Sequence, residues 1–339
     1  MLCHMRMASG RNRTLLRTSI GLGLIVIAFS FLGWSLVSNW SDLTAEDVDI
    51  QPALLAASTL PAAAGILLLA LIWRQIVASL AGSGQANLGQ LPKIFLYSWA
   101  GRYVPGKVAY LAGRFVLGRS VGFSAPVLVG SMAYENVLLV TTAAAFATLT
   151  LLPVLAIESE SLLPYLALPV VVVAGAAVLH PRVLGWVVRL GARLLGRTLP
   201  EEGWQISPGR MARLVAAFMV THVVNGVGFY LLIISVTSYS PRYLPLAAGA
   251  FVLAGVVGMI SVFAPAGLGV REGVLVAILQ TTMPVELAVL ISVAARVWAT
   301  VIDVVLVGGC FAYDYLSGDR MLLSALRGPA VEDPAGVDS

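Results

Sequence analysis

The sequence predicts an all-α polytopic membrane protein with seven transmembrane helices and two further segments that are broken or re-entrant. Composition is the first reason, because 59% of the 339 residues are hydrophobic and 11% are charged, with a mean hydropathy of +0.91. An average soluble domain carries about a quarter charged residues. The second reason is that long apolar runs follow one another and leave no room for a soluble core. We expect one membrane domain at 19–313, between a basic N-terminus at 1–18 and a polar tail at 314–339.

Seven apolar runs approach or exceed the roughly 20 residues that cross the hydrocarbon core of a bilayer. They lie at 19–37, 53–80, 125–152, 162–179, 211–236, 244–263 and 287–311. The first run follows four arginines and resembles a secretory signal, but it is as long as a full span and lacks a small-residue cleavage site. We therefore predict an uncleaved first helix with its N-terminus in the cytoplasm.

Two segments, 94–119 and 265–283, depart from this pattern. The first has Pro105 and Gly106 in its middle, and the second begins Pro265-Ala-Gly-Leu-Gly. Proline and glycine in an apolar stretch break a helix. Broken backbone at membrane depth is tolerated only where protein or trapped water satisfies its polar groups. Both segments are therefore predicted to be re-entrant or discontinuous and to approach one another in the core.

The positive-inside rule supports re-entry of the first segment. The connection at 181–210 carries five arginines and two glutamates, so it should be cytoplasmic. Starting from a cytoplasmic N-terminus, this holds only if 94–119 enters and leaves on the same side. Too few charges follow 265–283 for the same test, so the side of the C-terminus stays open.

The order of the segments suggests an internal repeat. Two long spans precede each broken segment and one span follows it, so that Pro105 and Pro265 hold equivalent places. Transporters built from duplicated halves often bind substrate where paired broken helices meet. A binding site between the two halves is the expectation.

Motifs for enzyme chemistry are incomplete. Residues 101–108 nearly spell a phosphate-binding loop, but Val108 has no hydroxyl for magnesium and no β-strand precedes the loop. No His, Cys or carboxylate cluster has metal-ligand spacing, and Cys3 and Cys310 lie at opposite ends of the chain. We expect no enzyme activity, no cofactor, no metal and no nucleic-acid partner.

A set of ionisable residues falls at membrane depth, where a charge costs about 2.5–3.5 kcal/mol and usually faces a cavity or a partner. As candidate substrate-binding residues we take Arg102, Lys107, Arg114, Glu135, Arg271, Glu272, Arg296 and Asp303. Arg296 and Asp303 lie two turns apart on one face, too far for direct pairing without help. An unpaired arginine at this depth would be costly, so we expect Arg296 to lie in one polar network with Glu272 or Asp303.

Two features favour an anionic ligand. A helix that restarts after a break offers free N–H groups and the positive end of its dipole. Arginine adds a planar fork that suits phosphate. The alternative is that these arginines snorkel to head groups and only fix the topology. His222 and Asn225 share a face of one span, and His222 is interpreted as an interhelical hydrogen-bonding residue; Tyr97 and Trp99 are assigned to interfacial belts.

Two motifs resemble the signatures of the lysylphosphatidylglycerol synthase/flippase membrane-domain family. The first is Tyr103-Val-Pro-Gly-Lys107 with Ala112-Gly-Arg114, and the second is Ala264-Pro-Ala-Gly-Leu-Gly-Val-Arg-Glu-Gly273 with Ala295-Arg296 on the next helix. Glu135 is similar to an acidic position between them. The resemblance covers roughly residues 19 to 311.

The resemblance implies a multi-pass plasma-membrane protein of a bacterium or archaeon. Asn136 stands where the family has a basic residue and Ala266 replaces a glycine, which leaves the head group open. Members include the flippase half of aminoacyl-phosphatidylglycerol synthases and stand-alone proteins linked to envelope glycolipids. Because about 25 residues follow the last span, we expect that aminoacyl transfer is not an activity of this chain.

The expected function is therefore the flipping of an anionic phospholipid or lipid-linked head group across the plasma membrane, with membrane lipids as partners. The cations Arg102, Lys107, Arg271 and Arg296 would neutralise phosphate. The carboxylates Glu135, Glu272 and Asp303 would hold those cations when the site is empty. The alternatives are a non-transporting partner of a polyprenyl-phosphate glycosyltransferase or of an envelope-lipid synthase, and a small-solute secondary transporter.

Overall fold

The computed structural model describes residues 50–82, 87–103, 108–158, 167–178, 206–261, 267 and 269–318, together with the single residues 183 and 186. These residues form helices and 3₁₀ turns and contain no strand. The helices are α1 (Pro52–Ala81), α2 (Leu91–Trp99), α3 (Val108–Ser120), α4 (Ala125–Glu158), α5 (Ala167–Val178), α6 (Pro208–Ile234), α7 (Leu244–Ile260), α8 (Val270–Leu279) and α9 (Val285–Ser317). The 3₁₀ turns are Leu88–Gln90, Ala100–Tyr103 and Pro241–Tyr243.

Five helices in the described ranges are long and apolar enough to cross a membrane: α1, α4, α6, α7 with its preceding 3₁₀ turn, and α9. They confirm five of the predicted apolar runs as long helices. The first predicted run, 19–37, lies outside the described residues, and the run at 162–179 is described only as the 12 residues of α5. The count of seven spans and the internal repeat therefore stay predictions. Helix α9 continues to Ser317, into the segment 314–339 that is predicted to be the polar tail.

The long helices are apolar on all sides, which is the pattern of helices that face lipid on one side and protein on the other. Leu60, Leu149, Val220 and Val304 are all at least half exposed on the outer surface of the bundle. Water would not stabilise such a surface, whereas lipid does. The inner faces carry the small residues that let helices approach closely.

The central bundle is held by contacts between α1, α4, α6 and α7. A Cβ atom on Gly226 of α6 would lie 2.4 Å from the Cβ atom of Ala248 on α7. A Cβ atom on Gly249 of α7 would lie 2.3 Å from Oγ1 of Thr150 on α4. Glycine at these positions therefore permits the close backbone approach that packs membrane helices.

The first broken segment forms a helical hairpin. Gly113 of α3 lies against Ser98 of α2, and Gly101 lies against the backbone of Ala109 and Tyr110. Residue pairs whose numbers converge in this way belong to antiparallel arms, so α2 and α3 run in opposite directions. The break between the arms, 104–107, lies outside the described residues and includes Pro105 and Lys107.

The second broken segment also pairs with its neighbour as a hairpin, formed by α7 and α8. At one end Gly258 lies against Gly267 and Arg271. At the other end the hydroxyl groups of Tyr239 and Thr282 lie 2.6 Å apart, just before α7 and just after α8. The two helices are therefore antiparallel. The break itself, 262–266 with Pro265, lies outside the described residues.

Both hairpins pack against helix α9, the first along its C-terminal part and the second along its N-terminal part. Lys93, near the start of α2, donates a 2.8 Å hydrogen bond to Asp314 near the end of α9, whereas α8 leads directly into the start of α9. The inner end of the first hairpin contacts α9 at Asp303 through Tyr103. The inner end of the second contacts it at Arg296. These points are seven residues, or about 10 Å, apart along α9.

Candidate functional site

A cavity of about 220 Å³ lies where the inner ends of the hairpins meet the central bundle. One water needs only ~10–15 Å³ on the same scale, so the cavity has room for a polar group of a ligand. Its walls come from the four bundle helices, α9, α8 and the first hairpin. They are lined by Ala62, Ile66, Leu69, Trp99, Arg102, Tyr110, Glu135, Leu139, His222, Asn225, Phe251, Val252, Gly255, Val256, Gly258, Met259, Arg271, Trp298, Ala299, Ile302 and Asp303.

Arg271 is a buried cation in this wall. Arg271 is 9% exposed, and the centre of its guanidinium lies 4.8 Å from the centre of the Phe251 ring. Glycine at 258 allows this approach, because a Cβ atom there would lie 3.1 Å from the Cβ atom of Arg271. Within the described ranges, no carboxylate oxygen lies within 4.0 Å of its nitrogens. Its charge is therefore available to an anion.

Asp303 holds the inner end of the first hairpin. It is 5% exposed and accepts hydrogen bonds from Trp99 Nε1 at 2.8 Å and from the Tyr103 hydroxyl at 2.6 Å. Its Oδ2 atom lies 3.5 Å from Nη1 of Arg102, whose side chain is 35% exposed and lies over the Trp99 ring at 4.4 Å. The carboxylate thus has three donors, from the end of α2 and the 3₁₀ turn that follows it. Arg102 keeps part of its side chain exposed at the cavity.

Arg114 and Glu135 form a buried ion pair in which only the glutamate lines the cavity. The Arg114 side chain is 0% exposed, and it donates to Glu135, to the Tyr110 hydroxyl and, at 3.3 Å, to Ser98 Oγ. Its guanidinium also lies 4.0 Å from the centre of the Phe95 ring. Glu135 lines the cavity but Arg114 does not. Each nitrogen of the Arg114 guanidinium already has an acceptor, as in a structural residue. Arg114, predicted to bind the substrate, is therefore not placed where it could contact a ligand in the cavity.

Glu272 and Arg296 form the predicted network beside the cavity. Nη1 of Arg296 lies 3.6 Å from Oε1 of Glu272, and both side chains are mostly buried. Oε2 of Glu272 accepts a 2.8 Å hydrogen bond from the N–H of Gly269, at the start of α8. One of the N–H groups expected to face a ligand after the second break is therefore capped by Glu272 instead. Neither member of the pair lines the cavity.

Of the eight predicted site residues, the cavity wall contains Arg102, Glu135, Arg271 and Asp303. Lys107 lies outside the described residues. Both carboxylates in the wall already have partners, Arg114 for Glu135 and the three donors for Asp303. Arg271 has no such partner in the described part of the chain, so the cavity is electropositive at that point. An arrangement of this kind binds an anion.

Tyr97 and Trp99, which were assigned from the sequence to an interfacial belt, have partners within the protein that the sequence did not predict. Tyr97 donates to Asp314, and Trp99 donates to Asp303, so both rings are used inside the protein. Phe251, which carries the Arg271 guanidinium, was not predicted at all. For the donors to Asp303 the sequence did contain a signal, because Trp99, Arg102 and Tyr103 all precede the predicted break at Pro105 by a few residues. His222 agrees with its interpretation, since Nε2 lies 3.0 Å from Oγ1 of Thr142 on the neighbouring helix.

In the part of the chain that the structure describes, no group of three His, Cys, Asp or Glu residues could hold a metal ion.

The family described as the lysylphosphatidylglycerol synthase TM region matches residues 15–308, which include both hairpins, the cavity and all eight predicted site residues. No curated protein matches the chain. Together with the five long apolar helices, the family match makes this a multi-pass membrane protein.

Proposed function

This chain belongs to the lysylphosphatidylglycerol synthase transmembrane-region family, and we propose that it flips an anionic phospholipid or lipid-linked head group across the plasma membrane. The proposal requires a site that can hold a negative charge inside the membrane and release it on either side. It requires no covalent step, because a head group that is only moved keeps all its bonds.

The observation that carries this proposal is the buried guanidinium of Arg271 at the cavity, without a carboxylate partner in the described ranges. A buried charge is costly unless a counter-charge and hydrogen bonds accompany it. A phosphate group supplies both, since its oxygens accept the two parallel N–H bonds of an arginine fork. Arg102, in the same wall and partly exposed, is a second cation within reach of the same anion.

The remaining wall suits a lipid better than a small polar solute. Phe251, Val252, Val256, Leu139 and Ile302 present apolar surface next to the charged part of the cavity. A molecule with a charged end and an apolar body satisfies both parts. The head group would occupy the cavity while the acyl chains remain in the bilayer beside the exposed apolar faces of the bundle.

Both hairpins are proposed to be re-entrant and to enter from opposite sides. In this proposal α7, which was predicted from the sequence as a full span, is one arm of the second hairpin. The backbone N–H of Gln51, just before α1, donates a 2.8 Å hydrogen bond to the carbonyl oxygen of Ser235, just after α6, so these two helix ends lie on the same side. Lys93 and Asp314 lie together at the other ends of the helices. The first hairpin opens on the Lys93 side and the second on the Gln51 side, so that each forms a barrier between the cavity and one surface. With a cytoplasmic N-terminus, the Lys93 side is cytoplasmic.

The test is reconstitution of the purified protein into vesicles that contain phosphatidylglycerol with a fluorescent label on one acyl chain. Dithionite, added outside, bleaches only the label in the outer leaflet unless the protein exchanges lipid between leaflets. We expect bleaching to continue beyond the outer-leaflet fraction in vesicles with protein and to stop there in vesicles without it. Binding of the lipid without exchange would favour the non-transporting partner of a glycosyltransferase or synthase.

A further inference from the structure

The cavity has a second polar region, formed by His222 and Asn225 on one face of α6. His222 is 3% exposed, and its ring lies 5.7 Å from the ring of Phe146 and 6.5 Å from that of Phe218. Two phenyl rings and a tightly packed helix fix the orientation of the imidazole. In the described ranges no carboxylate lies within salt-bridge distance, so this environment stabilises the uncharged ring.

Thr142 occupies one ring nitrogen of His222. Its hydroxyl lies 3.0 Å from Nε2 and donates to the carbonyl oxygen of Leu138 at 2.7 Å. A neutral imidazole has one donor and one acceptor nitrogen, so the other nitrogen, Nδ1, serves a ligand hydroxyl as either acceptor or donor. Within the described residues, Nδ1 has no hydrogen-bond partner.

Asn225 presents the complementary groups one turn away. Its amide lies against Gly65, where a Cβ atom would come within 2.2 Å of Oδ1, so only glycine leaves space for it. The amide lines the cavity and makes no side-chain hydrogen bond to any described residue. An asparagine amide offers two donors and one acceptor. A hydroxyl group both donates and accepts, so it can pair with His222 and Asn225 at the same time.

From this geometry we infer that His222 and Asn225 form an uncharged hydroxyl-binding subsite in the cavity that contains Arg271. The inference rests on the proposed function and deepens it by naming the substrate class. That class is the anionic lipids whose head groups carry free hydroxyl groups, such as a glycerol or a sugar. A lipid of the same charge without hydroxyls would leave both polar groups unpaired, and sites built to bind a hydroxyl reject analogues that lack it.

The test compares two short-chain lipids that carry the same charge. Dihexanoyl phosphatidylglycerol has two head-group hydroxyls, and dihexanoyl phosphatidylpropanol has none. Affinity for the purified protein is measured by calorimetric titration. We expect phosphatidylglycerol to bind about tenfold more tightly, which is the loss that one unpaired buried hydrogen-bonding group produces. Asn225→Leu should lower the affinity for phosphatidylglycerol to that for phosphatidylpropanol.

The control is Asn136→Leu, the same chemical change at an asparagine whose Nδ2 donates to the Met132 carbonyl oxygen and which does not line the cavity. It should keep the preference for phosphatidylglycerol. Equal binding of both lipids by the unmodified protein would overturn the hydroxyl subsite and leave the anion site intact. Binding of neither lipid would overturn the anion site, and the proposed function with it. The comparison on the unmodified protein requires no variant to fold.

Discussion

Arg296 and Glu272 join α9 to the first turn of α8, with Nη1 of the arginine 3.6 Å from Oε1 of the glutamate. The same carboxylate caps the N–H of Gly269. One side chain therefore fixes both the start of α8, from which Arg271 projects, and its distance from α9. The two roles of Glu272 can be separated by substitution, because glutamine keeps an oxygen for the cap and loses the charge.

We predict that Glu272→Gln lowers stability less than Glu272→Ala. Each loses the ion pair, but only alanine also leaves the Gly269 N–H without its acceptor, which costs about 0.5–2 kcal/mol for an N-terminal cap. The measurement is thermal unfolding in detergent. Equal unfolding temperatures for the two variants would mean that the cap contributes nothing.

Arg114 is predicted to stabilise the fold rather than to bind lipid. Glu135→Gln would leave the fully buried guanidinium of Arg114 without its counter-charge, and breaking a buried pair in this way costs about 3–5 kcal/mol. We expect a large fall in the unfolding temperature. Arg213→Met, a substitution of an exposed arginine on α6, is the control and should change stability by less than about 0.5 kcal/mol. An Arg114→Met, Glu135→Leu double variant that is no more stable than Glu135→Gln would contradict this account.

The close contact in the first hairpin gives a further prediction. A Cβ atom on Gly101 would lie 2.6 Å from the backbone nitrogen of Tyr110, so Gly101→Ala must push the arms apart. Overpacking of this kind costs typically about 1–3 kcal/mol. Gly308→Ala is the control, because no atom lies within 4 Å of its added Cβ. Thermal unfolding should separate the two, and an unchanged unfolding temperature for Gly101→Ala would contradict the antiparallel packing.

The breaks between α2 and α3 and between α7 and α8 follow from the Pro/Gly pattern of the sequence. The second hairpin does not, because α7 was predicted as a separate full span rather than as an arm paired with α8. Nor do the partners of each charge. Arg114 and Arg271 look alike in the sequence, as arginines just after a break, yet one is saturated by Glu135 and the other is left facing the cavity. Which of them is paired depends on the packing of separate helices, and spacing along one helix carries no information about that.

Hydrogen bonds between side chains on different helices could not be predicted from the sequence either. Asp303 and Asp314 lie on α9, and their donors come from the first hairpin, about 200 residues earlier in the chain. A tryptophan near a predicted helix end is most simply interfacial, so Trp99 gave no sign that its N–H is used by Asp303. The partner of His222 Nε2 is likewise Thr142, which belongs to a different helix.

Proposed re-entry of both hairpins predicts the side from which introduced cysteines react. In a variant with Cys3 and Cys310 replaced by serine, single cysteines at Asn87 and Ser124 flank the first hairpin. Both should be protected from a membrane-impermeant maleimide in intact cells, because the proposed orientation places both in the cytoplasm. Opposite reactivity of this pair would show that the first segment crosses the membrane.

The second hairpin is tested in the same way at Ser238 and Glu286, exposed residues before α7 and after α8. Cysteines at both positions should react from outside the cell. Protection of one and reaction of the other would contradict re-entry of the hairpin formed by α7 and α8, and would place the end of α9 on the other side.

The central claim is that the guanidinium of Arg271 holds the head-group anion during transport, and the vesicle exchange assay on Arg271 variants tests it most directly. Arg271→Met should slow exchange of labelled phosphatidylglycerol by about tenfold or more, the loss expected for charge-assisted hydrogen bonds. Arg271→Lys should restore only part of the rate, because an ammonium cannot form the bidentate contact. Lys107→Ala, predicted from the sequence to act in the same step, should also slow exchange.

Exchange rates are compared only among variants whose unfolding temperature and incorporation into vesicles match those of the parent. Arg213→Met is the control, because it also removes an arginine but at a position away from the cavity. The account predicts slow exchange by Arg271→Met and parental exchange by Arg213→Met. Parental exchange by a stable, fully incorporated Arg271→Met variant would contradict it.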